Sequence, residues 1–126
     1  MSRSIKIDQL AAEIAEELKE YSKEVTEDLK EDIKSAGNLC KKEIQANAPE
    51  KTGAYKKGWK VKTVYENDSD IRVAVYNPKE YPLAHLLEHG HAKAGGGRVE
   101  GKPHIGPAAE KAETVLLKKV RISVKG

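Results

Sequence analysis

Four side chains able to bind metal or move protons fall within seven residues: His85, Glu88, His89 and His91. If this segment is helical, His85 and His89 stand one turn apart on the same face, a spacing that lets two imidazoles share one ion. His91 or His104 would supply a third ligand. The zinc-protease arrangement, however, needs Glu directly after the first His, and Leu86 occupies that place, so the catalytic motif is absent. The simpler reading has His85 and His89 packing or hydrogen-bonding on their helix, with His91 and His104 beside a glycine-rich stretch; no metal and no cofactor are expected.

Other chemistry is no better assembled. Gly95, Gly96 and Gly97 do not follow a strand, and the following Arg98, Val99 and Glu100 provide neither the Lys nor the hydroxyl of a phosphate-binding loop. No serine lies between glycines in a strand-to-helix turn, so a nucleophile is missing. Lys51, Lys56, Lys57, Lys60 and Lys62, interleaved with Tyr55 and Trp59, form a basic stretch over residues 51–62 that would suit phosphates and stacked bases. Trp59 shares the alternation of Val61, which favours a core position over a stacking platform. A metal-binding enzyme and a DNA-binding module therefore stand as alternatives to a structural role.

The elements that would position these residues follow from periodicity. Apolar side chains recur every three or four positions at Ile7, Leu10, Ile14, Leu18, Tyr21, Val25, Leu29, Ile33, Ala36, Cys40 and Ile44, which predicts one long amphipathic helix within residues 1–47. Asp8 is its expected N-cap, and Pro49 ends it by barring helical geometry at Ala48. About forty residues at about 1.5 Å each would reach roughly 60 Å, too long for a domain of this size to cover. The helix is therefore expected either to break near Ser35, Ala36 and Gly37 or to pack on a neighbouring subunit, with a two-stranded coiled coil disfavoured by its mixed Leu, Ile, Tyr and Ala steps. Pro49, Gly53 and Gly58 mark a loop over residues 47–58.

Alternation then predicts a hairpin over residues 59–76, turning at ENDSD, with Trp59, Val61, Ile71, Val73 and Val75 on one face. A short helix, LAHLLEHG, follows, with Gly90 as its C-terminal cap. Residues 91–106 contain five glycines and read as a flexible loop. Residues 107–125 read as a C-terminal helix from Pro107 followed by a strand at Val120, Ile122 and Val124 that joins the hairpin.

The 126 residues fit one domain, with 38% hydrophobic and 34% charged residues, no Phe and one Trp. Such a core is small enough for partner subunits to complete. The lone Cys40 cannot form an internal disulfide and is expected in the core. No apolar run is long enough to span a membrane and no signal peptide is evident at MSRSIKIDQL, so a protein that is cytoplasmic at synthesis is expected. The net charge of +3 is segregated, −4 over residues 1–50 and +7 over residues 51–126. A chain of this polarity could stack head to tail with itself or meet an acidic partner through its second half, although for charge alone solvated faces are the better reading.

Three segments in order, APEKTGAYK at 48–56, YPLAHLLEHG at 81–90 and KPHIGPA at 102–108, resemble the minor tail-component family of tailed bacteriophages and prophages. His89, His91 and His104 stand where that family commonly has Tyr or Phe, Thr, and Phe. The resemblance implies a structural neck or tail-completion protein at the head-tail interface, forming a sixfold or twelvefold ring with copies of itself. Head-connector or tail proteins would be its other partners, with phage DNA nearby in the channel. It implies no catalytic residues. Thr52 and Gly53, as a tight turn, and Glu88, Gly95, Gly96, Gly97, Arg98 and Lys102 are the contact candidates. Glu88, at a helix C-terminus where an anion opposes the dipole, is expected to pair with a lysine or arginine of this chain or of the next subunit.

The expected architecture is a single α+β domain over residues 1–126: a long N-terminal helix, a small antiparallel sheet of three or four strands, a short helix, and a C-terminal helix packed on the sheet.

Overall fold

A computed structural model describes residues 3–8, 11–17, 22–49 and 53–125. Its elements run β1 (Arg3–Asp8), β2 (Ala11–Glu17), α1 (Lys23–Asn47), α2 (Gly53–Lys57), β3 (Lys60–Glu66), β4 (Asp70–Tyr76), α3 (Tyr81–His89), β5 (Gly90–Ala92), β6 (Arg98–Glu100) and α4 (Ile105–Lys125). The α+β class and the long helix are as expected, but the helix starts later. Ser22 caps it, the side-chain oxygen accepting the Val25 N–H at 3.2 Å. Asp8, the expected cap, lies instead at the end of β1.

Two antiparallel hairpins, β1 with β2 and β3 with β4, join along β2 and β4 in the order β1-β2-β4-β3. Ile14 of β2 faces Val73 of β4, which in turn faces Thr63 of β3. The strands added to the β3–β4 hairpin thus come from the N-terminal segment. The C-terminal tail, expected to add one, is helical through Lys125. Alternation at Val120 and Ile122 misleads there: Val120 is buried while Ile122 is exposed on the same helix.

The helix does not break at Gly37. Here α1 crosses the sheet so closely that a Cβ on Gly37 would lie 2.8 Å from Val73 Cγ1 and 3.2 Å from Val61 Cγ1. Glycine fits because it lets helix and sheet approach, at a cost in helical propensity of about 1 kcal/mol.

Helices α1 and α4 lie side by side over the sheet. Leu29, Ile33 and Ala36 of α1 meet Ile71, Val73, Leu116 and Val120 in one part of the core. Cys40 and Ile44 meet Tyr55, Trp59, Val75, Ala84, Ile105 and Ala112 in the other. Each fully buried Leu or Ile contributes about 1.5–3 kcal/mol by leaving water. Burial also pushes the Cys40 thiol up to about 12.

A buried lysine fastens α1 to the β3–β4 turn. Lys30 Nζ donates to the Asn67 carbonyl at 2.6 Å and stands 3.4 Å from Glu66 Oε2, while Lys34 Nζ lies 3.6 Å from Glu66 Oε1. Asn67 Oδ1 shapes the turn by accepting the N–H groups of Ser69 and Asp70 at 2.9 and 2.8 Å.

Candidate functional site

Helix α3 has Pro82 in its first turn and ends at Gly90, whose φ of 77° favours glycine and whose N–H donates to the Leu86 carbonyl. Glu88 lies on its buried face, one turn after Ala84. The expected cationic side chain is not what answers its charge. Glu88 Oε1 accepts the backbone N–H groups of His104 and Ile105 at 2.7 and 2.8 Å, and Oε2 accepts that of Gly106 at 3.0 Å. These donors belong to the entry and first turn of α4, which no preceding helical turn can satisfy. The positive end of the α4 dipole thus offsets the unfavourable end of α3. Burial pushes the Glu88 carboxyl up, but the three amide donors, aided by the His104 ring, outweigh it and hold the group below its ordinary value.

His104 extends this contact inward. Its Nδ1 lies 2.7 Å from the Lys102 carbonyl, an acceptor only, so Nδ1 carries the proton and Nε2 is left to accept from the Tyr55 hydroxyl. Nδ1 is also 3.1 Å from Glu88 Oε1. Tyr55 packs edge-on against both His104 and Trp59, and burial, followed by the Glu88 charge, raises its phenol above the ordinary range.

Asn77 ties in the two remaining elements. Its Nδ2 donates to the Tyr55 carbonyl and its Oδ1 accepts the Glu80 N–H, both at 3.0 Å, linking α2 to the start of α3. The Lys102 N–H donates to the Leu87 carbonyl at 2.8 Å. A Cβ on Gly101 would lie 2.5 Å from the Glu88 carbonyl oxygen, so only glycine permits this crossing. Tyr55, Glu88 and His104, one from each of the three motif segments, therefore meet in one buried knot. Their polar groups satisfy one another, an arrangement suited to holding elements in place.

The other candidates are dispersed. His85 and His89 are exposed on α3 with ring centroids 5.0 Å apart, His91 is half-buried on β5, and His104 lies in the knot. Among the described residues no group of three or more His, Cys, Asp or Glu comes together to hold a metal. Residues 91–106, read as a loop, hold all of β6 and all of its partner strand β5 except Gly90, and α4 already begins at Ile105. Gly95, Gly96 and Gly97 form the tip of this ribbon with φ of 113°, 105° and 83°. Arg98 is committed to the His89 carbonyl, and the Lys102 side chain is exposed. Gly53 opens α2; Thr52 and Lys51 lie outside the described residues.

The basic stretch loses its aromatic component, since Tyr55 and Trp59 are both core residues. Lys57, Lys60 and Lys62 are exposed and Lys56 is half-buried. Lys62 covers the face of Tyr76, its Nζ 4.8 Å from the ring centroid. Among the described residues, no helix is long and apolar enough to cross a membrane.

Sequence reasoning missed the structural work of Tyr55, Asn77 and Lys30. Lys30 carried a signal, because it shares the buried stripe of Thr26, Ile33 and Gly37. Asn77, directly ahead of Pro78, carries no more than a turn signal in the sequence.

Comparison with protein families matches residues 12–90 to the family described as Bacteriophage HK97-gp10, putative tail-component. The matched range contains two of the three motif segments, and the third, at 102–108, lies beyond it. Neither the curated proteins nor the solved structures gave a match. With well over half of its length matched, and with the two motif segments in that range meeting at the Glu88 knot, the chain belongs to the HK97 gp10-like family of bacteriophage tail components.

Proposed function

We propose that this chain acts at the head-tail interface of a phage or prophage virion, where copies of it form a ring that joins or completes the tail. Head-connector or tail proteins stack on the ring, and phage DNA passes through its channel. Assembly takes place in the host cytoplasm. Membership of a family of tail components supports a structural role alongside other phage proteins.

The observation that carries this reading is the inward use of the motif chemistry. Tyr55, Glu88 and His104 are buried and bonded to each other, which fixes α2, α3 and α4 without presenting a reactive group. What remains outside is suited to contact: Val64 and Tyr65 are exposed on the edge strand β3, and the glycine tip of the β5–β6 ribbon is exposed as well. The irregular register between Thr63 and Tyr65 discourages indiscriminate strand pairing along that edge.

The test is genetic and visual. A phage carrying a deletion of this gene is expected to yield filled heads and separate tails by electron microscopy, with joining restored by supplying the protein in trans. Intact infectious particles from the deletion would overturn the reading.

A further inference from the structure

Outside the knot, α3 carries two imidazoles that the fold does not use. His85 and His89 are exposed one turn apart, with ring centroids 5.0 Å apart and planes inclined at 56°. Among the described residues, neither ring has a hydrogen-bond or ion-pair partner. That contrasts with His104, whose two nitrogens are both engaged.

The separation has a chemical meaning. A zinc-like ion held by one nitrogen of each ring at about 2.0–2.1 Å sits roughly 3.2 Å from each ring centre, which at bond angles of about 90–110° puts the centres roughly 4.5–5.2 Å apart. The observed 5.0 Å lies within that interval. We propose that His85 and His89 form a surface site for one divalent ion of the zinc, nickel or copper group, for which imidazole is a favoured donor.

The site is bidentate and open, its remaining positions taken by water. With two protein ligands in place of four, its affinity lies below that of a closed structural site. His91, on β5, and His104, in the core, take no part.

The test uses the whole chain, freed of metal with a chelator and titrated with zinc chloride, then nickel chloride, in a calorimeter. One ion should bind per chain. Each of His85→Ala and His89→Ala should weaken binding at least about tenfold, whereas His91→Ala should leave it within about twofold. Circular dichroism checks that the variants fold. On the unaltered protein, paramagnetic nickel should broaden the imidazole proton signals of His85 and His89 before those of His104. The proposal is overturned if the wild-type chain binds no ion, if His85→Ala and His89→Ala bind as tightly as wild type, if His91→Ala loses binding equally, or if His104 broadens first.

Discussion

The Glu88 carboxylate accepts the Ile105 backbone N–H at 2.8 Å, so the last turn of α3 supplies the anion that caps the first turn of α4. The two residues are 17 positions apart, and the cap is therefore tertiary rather than local. Its loss should loosen both helices together.

Glu88→Ala leaves the N–H groups of His104, Ile105 and Gly106 without their acceptor, two of them in the core. The expected loss is about 2–4 kcal/mol of folding stability, with Glu88→Gln losing less because one carbonyl acceptor survives. Urea denaturation at neutral pH measures both. Equal stability of wild type and Glu88→Ala would show that water serves α4 as well as the carboxylate does.

The same contact sets an acid limit. In the fold, the Glu88 carboxyl is held below its ordinary value of 4.5, to which it returns on unfolding. As pH falls the unfolded chain takes up this proton first. The stabilisation is therefore complete above about 4.5 and disappears as pH drops through the lower folded value. The stability gap between wild type and Glu88→Gln should narrow over that window. A gap that stays constant across it contradicts this account.

Gly37→Ala sets two effects against each other. Alanine adds about 1 kcal/mol of helical propensity, while overpacking a well-filled core typically costs about 1–3 kcal/mol. The contacts at 2.8 and 3.2 Å come from Val73 and Val61, whose branched side chains have little rotameric freedom. Overpacking should win, lowering the melting temperature by a few degrees. A rise in melting temperature would mean that the sheet yields.

Cys40 should be silent in the native state. With its thiol pushed up to about 12 by burial, almost no thiolate exists at pH 8. A chromogenic disulfide reagent should find no reactive thiol in the folded chain and one after denaturation. Rapid native labelling would indicate that this part of the core opens.

Much of this architecture was readable from periodicity. The stripe from Val25 to Ile44, the stop at Pro49, the two strands around Asn67 and a helix over Ala108, Ala112 and Leu116 all appear in the structure. The N-terminal hairpin was hidden because Ile7, Leu10 and Ile14 also satisfy a helical spacing; pairing with β4, a non-local event, makes β2 a strand. Residues 91–106 looked featureless because ribbons with strands of three residues have too few positions to show alternation. The residues of the knot were visible as motif letters, but their bonding was not. The Glu88 cap spans 16 to 18 positions and the Tyr55 contact spans 49, distances over which spacing along a chain carries no geometric information.

The attachment of the β5–β6 ribbon gives the molecule a defined load path. Its strands are only three residues long and would part easily under tension. Immediately after β6, however, Gly101 lies against the Glu88 backbone, the Lys102 N–H grips the Leu87 carbonyl, and His104 is locked to Glu88 and Tyr55. A pull on the ribbon tip therefore passes into α3 and the core before it can reach the first turn of α4. The ribbon can be tugged or bent while the two-helix layer behind it keeps its register.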